Sequence, residues 1–310
     1  PNVGKSTVFN ALTGMNQHTG NWTGKTVSTA RGKCLRGGAD MTLTDLPGTY
    51  SLMAHSAEEQ VARDYICFGG TDGVIVVCDA SCLERNLNLV LQVIEITPHV
   101  IVCVNLLDEA AKKKITVDTK KLEELLGVPV CGVIARNDSG LDEMLMRTED
   151  MLSAEEKSPL VYYGEAAERA IGIMGGALAE LLGGKISLRF AALRILERCD
   201  DLITAIDSMC CGELKRSLSD SDTDIGRAYA EAVRILEDDG IDTAALRDMS
   251  VTRIVLTAEQ IAEQAVTREI PDYYERDRRI DAVLTHRIWG LPVMLLMLMV
   301  IFYITIAGAN

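Results

Sequence analysis

Residues 1–7 read Pro1-Asn2-Val3-Gly4-Lys5-Ser6-Thr7, the second half of the phosphate-binding pattern G-x-x-x-x-G-K-[ST]. In such a loop, backbone N–H groups and the N-terminus of the following helix cradle phosphate oxygens. Lys5 would reach the β- and γ-phosphates of a nucleotide, and the Ser6 hydroxyl would ligate Mg2+. Asn2, Val3, Gly4 and Thr7 would line the rest of the cradle. Val8, Phe9, Ala11 and Leu12 give the helix that opens there an apolar face. On its own, the half-pattern also fits an ordinary loop before a helix. The loop's first glycine and the strand that feeds it would lie upstream of residue 1, so the chain is expected to be a fragment.

Three further stations point to a nucleotide. Asp45-Leu46-Pro47-Gly48 follows the alternating segment Met41–Thr44, an expected strand. Asp45 would hold Mg2+ through water, and the Gly48 N–H would face the γ-phosphate. Asn105-Leu106-Leu107-Asp108 follows the apolar run Val100–Val104 and matches the N-[K]-x-D pattern. The Asp108 carboxylate can accept from both N1–H and the exocyclic amine of guanine. Adenine has neither donor in that place, so the pattern selects GTP and GDP. Ala135-Arg136 follows an expected strand over Pro129–Ile134, and a backbone N–H there could contact guanine O6. Two positions depart from the usual pattern: Leu106 stands where a lysine is common, and Ile134 where a small hydroxyl residue is. Both lower the expected affinity without changing the base that Asp108 selects.

These stations need a scaffold that presents all of them at one edge. Each falls where an apolar strand run ends, and open α/β sheets bind ligands at the carboxyl ends of their strands. Gly73–Asp79 supplies one more such run. The expected fold class is therefore α/β, a mostly parallel sheet with helices on both faces, over residues 1–157. Residues 158–269 are expected to be all-helical, with helices over Glu165–Leu182, Ser187–Arg198, Asp224–Asp238 and Thr243–Thr267, and with Asp222 or Thr223 as a cap. A juxtamembrane linker over 270–287, with a hinge at Ile270–Tyr274, leads to an uncharged run over 288–309. At about 1.5 Å per residue that run reaches about 33 Å, enough to cross a bilayer. Arg276, Arg278, Arg279 and Arg287 just before it place residues 1–287 on the cytoplasmic side.

Composition narrows the classes. The net charge of −14 opposes a nucleic-acid surface. None of the nine cysteines forms a C-x-x-C pair. Cys34, Cys67, Cys78, Cys103 and Cys131 read as small core residues of a reducing compartment. Cys210-Cys211 is a vicinal pair expected on a polar helical stretch. The four histidines make no ligand pair.

The chain resembles the ferrous iron transport protein B family. The resemblance rests on Pro1–Ser6, Gly20-Asn21-Trp22-Thr23-Gly24-Lys25-Thr26-Val27, Asp45–Leu52, Asn105–Ala110, and Arg279-Ile280-Asp281 with His286-Arg287. It implies a Ras-like P-loop GTPase domain, a helical domain that damps GDP release, and a polytopic inner-membrane domain passing Fe2+. It places Thr26 on Mg2+ and the γ-phosphate. It suggests stimulation by K+ with Asn2 as one ligand, although loop hydrogen bonding fits Asn2 equally from sequence. It also brings the bilayer, the remaining membrane domain, small accessory iron-transport proteins and a homo-oligomer into consideration as partners. Thr49 follows Gly48 where many GTPases carry a water-positioning glutamine, so slow intrinsic turnover is expected. Two alternatives stay open: transport of another divalent metal such as Mn2+ or Zn2+, and a regulatory GTPase of the ribosome-assembly kind.

Overall fold

The computed structural model describes residues 2–14, 18–21, 28–34, 41–53, 56–153 and 158–269, with isolated positions between 292 and 305. Residues 1–267 form one compact unit and residues 268–310 a second.

The first unit begins with helix α1 (Lys5–Thr13), strands β1 (His18–Asn21), β2 (Ser28–Lys33) and β3 (Thr42–Asp45), and helix α2 (Ala57–Phe68). Strand β4 (Val74–Asp79), helix α3 (Leu83–Ile96), strand β5 (Val100–Asn105), helix α4 (Leu107–Lys112) and strand β6 (Ile115–Val117) follow. Next come α5 (Thr119–Leu126), β7 (Val130–Gly132), α6 (Leu141–Met146) and α7 (Thr148–Leu152). The helical half runs through α8 (Glu165–Leu182), α9 (Leu188–Leu196), α10 (Asp200–Met209), α11 (Glu213–Ser219), α12 (Asp224–Asp238) and α13 (Thr243–Ala265), with a short strand β8 (Val266–Arg268) after it.

β4, β5 and β7 form a parallel sheet, β1, β2 and β3 an antiparallel one, and β6 pairs with β8. β4 and β5 run in register from Val74 opposite Val100 to Asp79 opposite Asn105. Every residue of β5 is buried. Val100, Val102 and Val104 pack with Leu87 and Leu91 of α3. Ile101 and Cys103 pack with Val8 and Leu12 of α1 and with Leu141 and Met144 of α6. Burial on both faces explains why this strand is a continuous apolar run rather than an alternating one. The α3 side of that core continues into α8, α9, α12 and α13, so the helical half shares its hydrophobic cluster with the sheet.

Local capping fixes most helix boundaries as expected. α8 spans Glu165–Leu182 and ends on left-handed Gly183. α12 spans Asp224–Asp238, and the Thr223 hydroxyl accepts from the Gly226 N–H at 3.0 Å. Three expectations need correction. The helix expected over Ser187–Arg198 spans Leu188–Leu196, and Arg198 turns left-handed at φ 52°. The last helix stops at Ala265, and Val266 and Thr267 turn into β8, because β6 offers a ladder partner. Cys210-Cys211 lies in the turn between α10 and α11 rather than on a helix, with Cys211 at φ 56°. Cys67, Cys78, Cys103 and Cys131 are buried as expected, whereas Cys34 is half-buried.

The hinge at 270–274 lies outside the described residues, as does most of the uncharged run over 288–309. The described positions in that run (292, 295, 298, 299, 301–303 and 305) are helical and exposed. Among the described residues no helix is long and apolar enough to cross a membrane.

Candidate functional site

The loop expected to bind phosphate turns into α1 through Gly4, which sits at φ 80° in the left-handed region that glycine tolerates best. The Gly4 carbonyl accepts from the Val8 N–H at 3.0 Å, so α1 is hydrogen-bonded from its first turn. That turn, Lys5–Val8, holds no acidic residue, which leaves the positive end of the helix dipole available to an anion. Asn2 is also left-handed, at φ 64°.

Lys5 Nζ donates to Asp45 Oδ1 at the carboxyl end of β3, across 40 residues of sequence. Asn2–Thr7, Leu46–Tyr50 and Asn86 line a cavity of ≈460 Å³ that extends along β4 from Val74 to Val77. The oxygen donors in this region, the Ser6 hydroxyl and the Asp45 carboxylate, are hard ligands that suit Mg2+. Gly4 packs directly on the Asn105 side chain: an added Cβ would stand 2.4 Å from Asn105 Nδ2.

The segment after Gly48 is held to the protein by hydrogen bonds. The Thr49 hydroxyl donates to the Ser51 carbonyl and accepts from the Ser51 N–H at 3.0 Å. The Leu52 N–H and the Ser51 hydroxyl both donate to Gln92 Oε1 of α3, at 2.7 and 3.2 Å. Arg194 Nη1 of α9 reaches Met53 Sδ at 3.2 Å. A second cavity, of ≈540 Å³, opens between Leu52, Met53, Arg63 and the Glu197–Asp201 segment.

The residues expected to recognise a base stand at the ends of β5 and β7. Asn105 is 1% exposed. Its Nδ2 donates to the Val3 carbonyl at 3.0 Å, and its Oδ1 accepts from the Ala135 N–H at 3.1 Å. This one side chain ties the phosphate loop to the loop after β7. Leu106 then takes φ 63°, a backbone conformation that bulky residues avoid, and so starts α4 with Asp108 in its first turn. Arg136 Nη2 donates to Asp108 Oδ2 at 2.7 Å.

The structure thus gathers Asn2, Val3, Gly4, Lys5, Ser6, Thr7 and Gly48 around one cavity, with Asp45 reached through Lys5. It links Asn105 and Ala135 to that loop, and it pairs Asp108 with Arg136. Thr26 lies outside the described residues. Sequence reasoning missed Gln92 and Arg194. A glutamine inside the apolar run Leu89–Ile94 was the only signal for the first.

A buried charge cluster stands behind the site. The Tyr163 hydroxyl donates to Glu95 Oε1 of α3 at 2.8 Å. Arg194 and Arg189 of α9 approach the same carboxylate at 3.6 and 3.7 Å. Arg194 also holds Glu197 at 2.5 Å. Burial pushes the Glu95 carboxyl above the ordinary carboxylate range, and Arg194, the Tyr163 hydroxyl and Arg189 pull it partly back.

A family profile described as ferrous iron transport protein B matches residues 1–148. The Fe(2+) transporter FeoB of Salmonella choleraesuis is 33% identical over 310 residues, which is 99% of this chain and 37% of that relative. The chain therefore spans just over a third of the length of that protein. The cytosolic domain of L. pneumophila FeoB is 30% identical, with a TM-score of 0.66, and the match covers 86% of this chain and 97% of that one. The cytosolic domain of the T. maritima FeoB iron transporter in a GDP form is 29% identical, with a TM-score of 0.68, over 86% of this chain and 95% of that one.

Proposed function

The chain belongs to the ferrous iron transport protein B family, and from that membership and the site geometry we propose that it is the GTP-binding and GTP-hydrolysing switch of a ferrous iron transporter. The observation that carries the reading is the Asn105 side chain, which joins the phosphate loop at Val3 to the base loop at Ala135. A site joined in this way grips a nucleotide by its phosphates and its base together.

Each residue has a definite part in this reading. The α1 N-terminus and the loop N–H groups bind the phosphates, and Lys5 leaves Asp45 to hold the β- and γ-phosphates. Ser6 and Asp45 would hold Mg2+, with Thr26 as the third protein contact; bound there, the ion neutralises charge that develops on the phosphates. The Gly48 N–H faces the γ-phosphate. Asp108 accepts from the guanine edge, and the Ala135 N–H lies within reach of guanine O6. The Thr49 hydroxyl is committed to Ser51, which supports slow intrinsic turnover because Thr49 stands where many GTPases carry a water-positioning glutamine. Asn2, left-handed beside Lys5, is the candidate K+ ligand. Residues 158–269 damp GDP release, acting on the segment after Gly48 through Arg194 and Met53. The uncharged run over 288–309 begins the membrane part of the full-length protein.

The test is metal uptake by the full-length protein in cells lacking their own iron importers, with wild type compared against Lys5→Ala. Fe2+-selective uptake that the substitution abolishes is the expected result. Uptake of Mn2+ or Zn2+ instead would replace the cargo, and uptake unaffected by Lys5→Ala would remove the nucleotide switch from transport.

A further inference from the structure

We propose that Arg136 is the internal competitor of the guanine base: it engages the Asp108 carboxylate that guanine must use, and so weakens nucleotide binding and speeds release. The inference rests on the nucleotide reading above and assigns a role to a side chain that pattern matching leaves undefined.

The chemistry of the pair carries the argument. A guanidinium presents N–H donors side by side in a planar fork, well matched to a carboxylate. The N1–H and exocyclic amine of guanine present the same kind of edge. Arg136 Nη2 already donates to Asp108 Oδ2 at 2.7 Å. Base and side chain therefore call on the same acceptor, and binding is an exchange of partners rather than an addition.

The backbone makes this competition a built feature. Arg136 lies in the short turn Ala135–Asn137, which ends on left-handed Asp138 at φ 62°. The Ala135 N–H is held by the buried Asn105. Arg136 is thereby kept close to Asp108 even though the two are 28 residues apart in sequence. The two side chains differ in freedom: Asp108 is 23% exposed and Arg136 72% exposed. The carboxylate stays in place while the guanidinium can swing into water, so a base displaces it cheaply. An ion pair this exposed shifts an equilibrium by only about two- to fivefold. That is small enough to leave binding intact and large enough to set how readily nucleotide leaves. Because the pair is exposed, salt screens it.

The experiment is stopped-flow binding and release of fluorescently labelled GDP by the full-length protein, wild type against Arg136→Gln, at low and at high NaCl. Arg136→Gln is expected to bind GDP about two- to fivefold more tightly at low salt and to release it correspondingly more slowly, with the gap closing at high salt. GDP binding by the variant that is equal to or weaker than wild type at low salt overturns the role of Arg136 and leaves the nucleotide reading standing. A wild-type protein that binds no GDP overturns the nucleotide reading, and this inference with it.

Discussion

Gly4 and Asn105 meet with no room to spare: a Cβ on Gly4 would stand 2.4 Å from the Asn105 side-chain nitrogen. Asn105 uses that same nitrogen to hold the Val3 carbonyl at 3.0 Å. Two segments about a hundred residues apart are thus held together because one residue has no side chain.

Gly4→Ala should therefore disable the phosphate loop while leaving the fold intact. The alanine bears a left-handed backbone at about 1–2 kcal/mol and pushes Asn105 off Val3. GDP affinity is expected to fall at least about tenfold, equivalent to about 1.4 kcal/mol. A fluorescent-nucleotide titration reads this directly, and unchanged affinity would mean that the loop does not bind through Gly4.

Asp108→Asn tests base recognition. The amide replaces one acceptor oxygen with a donor, so it mismatches the guanine amine and matches the 2-oxo group of xanthine. Hydrogen bonds to charged groups are worth about 1.5–3 kcal/mol, so GTP binding should weaken about tenfold or more while xanthosine triphosphate gains. Equal GTP affinity in the two proteins would remove Asp108 from the base site.

Arg194→Met probes the buried cluster that joins α3 to α9. It strips Glu95 and Glu197 of a shared cation, and breaking a buried pair typically costs about 3–5 kcal/mol. Urea denaturation should show the loss, most strongly at neutral pH. Burial raises the Glu95 carboxyl, so its charged form is the destabilising one in the folded state. That penalty is absent below the unfolded carboxylate range and grows as pH rises through the raised folded value. Acidification should narrow the gap between variant and wild type, and a gap that widens on acidification would contradict this account of the cluster.

The core thiols predict alkaline sensitivity. Burial pushes Cys67 and Cys103 up to about 12 and also raises Cys78 and Cys131. A thiol whose folded pKa is raised stabilises the fold fully below its unfolded value. That contribution is lost as pH climbs toward the folded value, at up to about 1.4 kcal/mol per pH unit and thiol. Thermal stability should fall from about pH 9 upward. At pH 8, iodoacetamide should label exposed Cys82 and Cys211 while sparing the four buried thiols until the protein unfolds. Rapid native labelling of Cys103 would show that β5 is not the closed core strand described here.

The local geometry of the proposed nucleotide stations was legible in the sequence because each is local. Gly4-Lys5-Ser6, Asp45–Gly48 and Asn105–Asp108 each need only a strand end, a turn and a helix start within a few residues. The apolar run before each station announces the strand, and glycine or a charged side chain marks the turn. The boundaries of α8 and α12 were legible for the same reason, since Gly183 and Thr223 cap them from next door.

Contacts between distant residues could be decided only by the tertiary structure. The turn of Val266 away from α13 depends on β6, some 150 residues earlier. Gln92 holds Leu52 across 40 residues, and Glu95 finds Arg194 about a hundred residues on. The Arg136–Asp108 pair is of the same kind. Periodicity and spacing record which face a residue presents and where an element stops. They carry no record of which far segment meets that face, because that choice is made by the shared core that brings α3, α9 and the sheet together. The sequence alone set the expected ligand class and the strand ends proposed to receive it. The fold decided which charges are buried, which carboxylate is already engaged, and how the helical half reaches the proposed site.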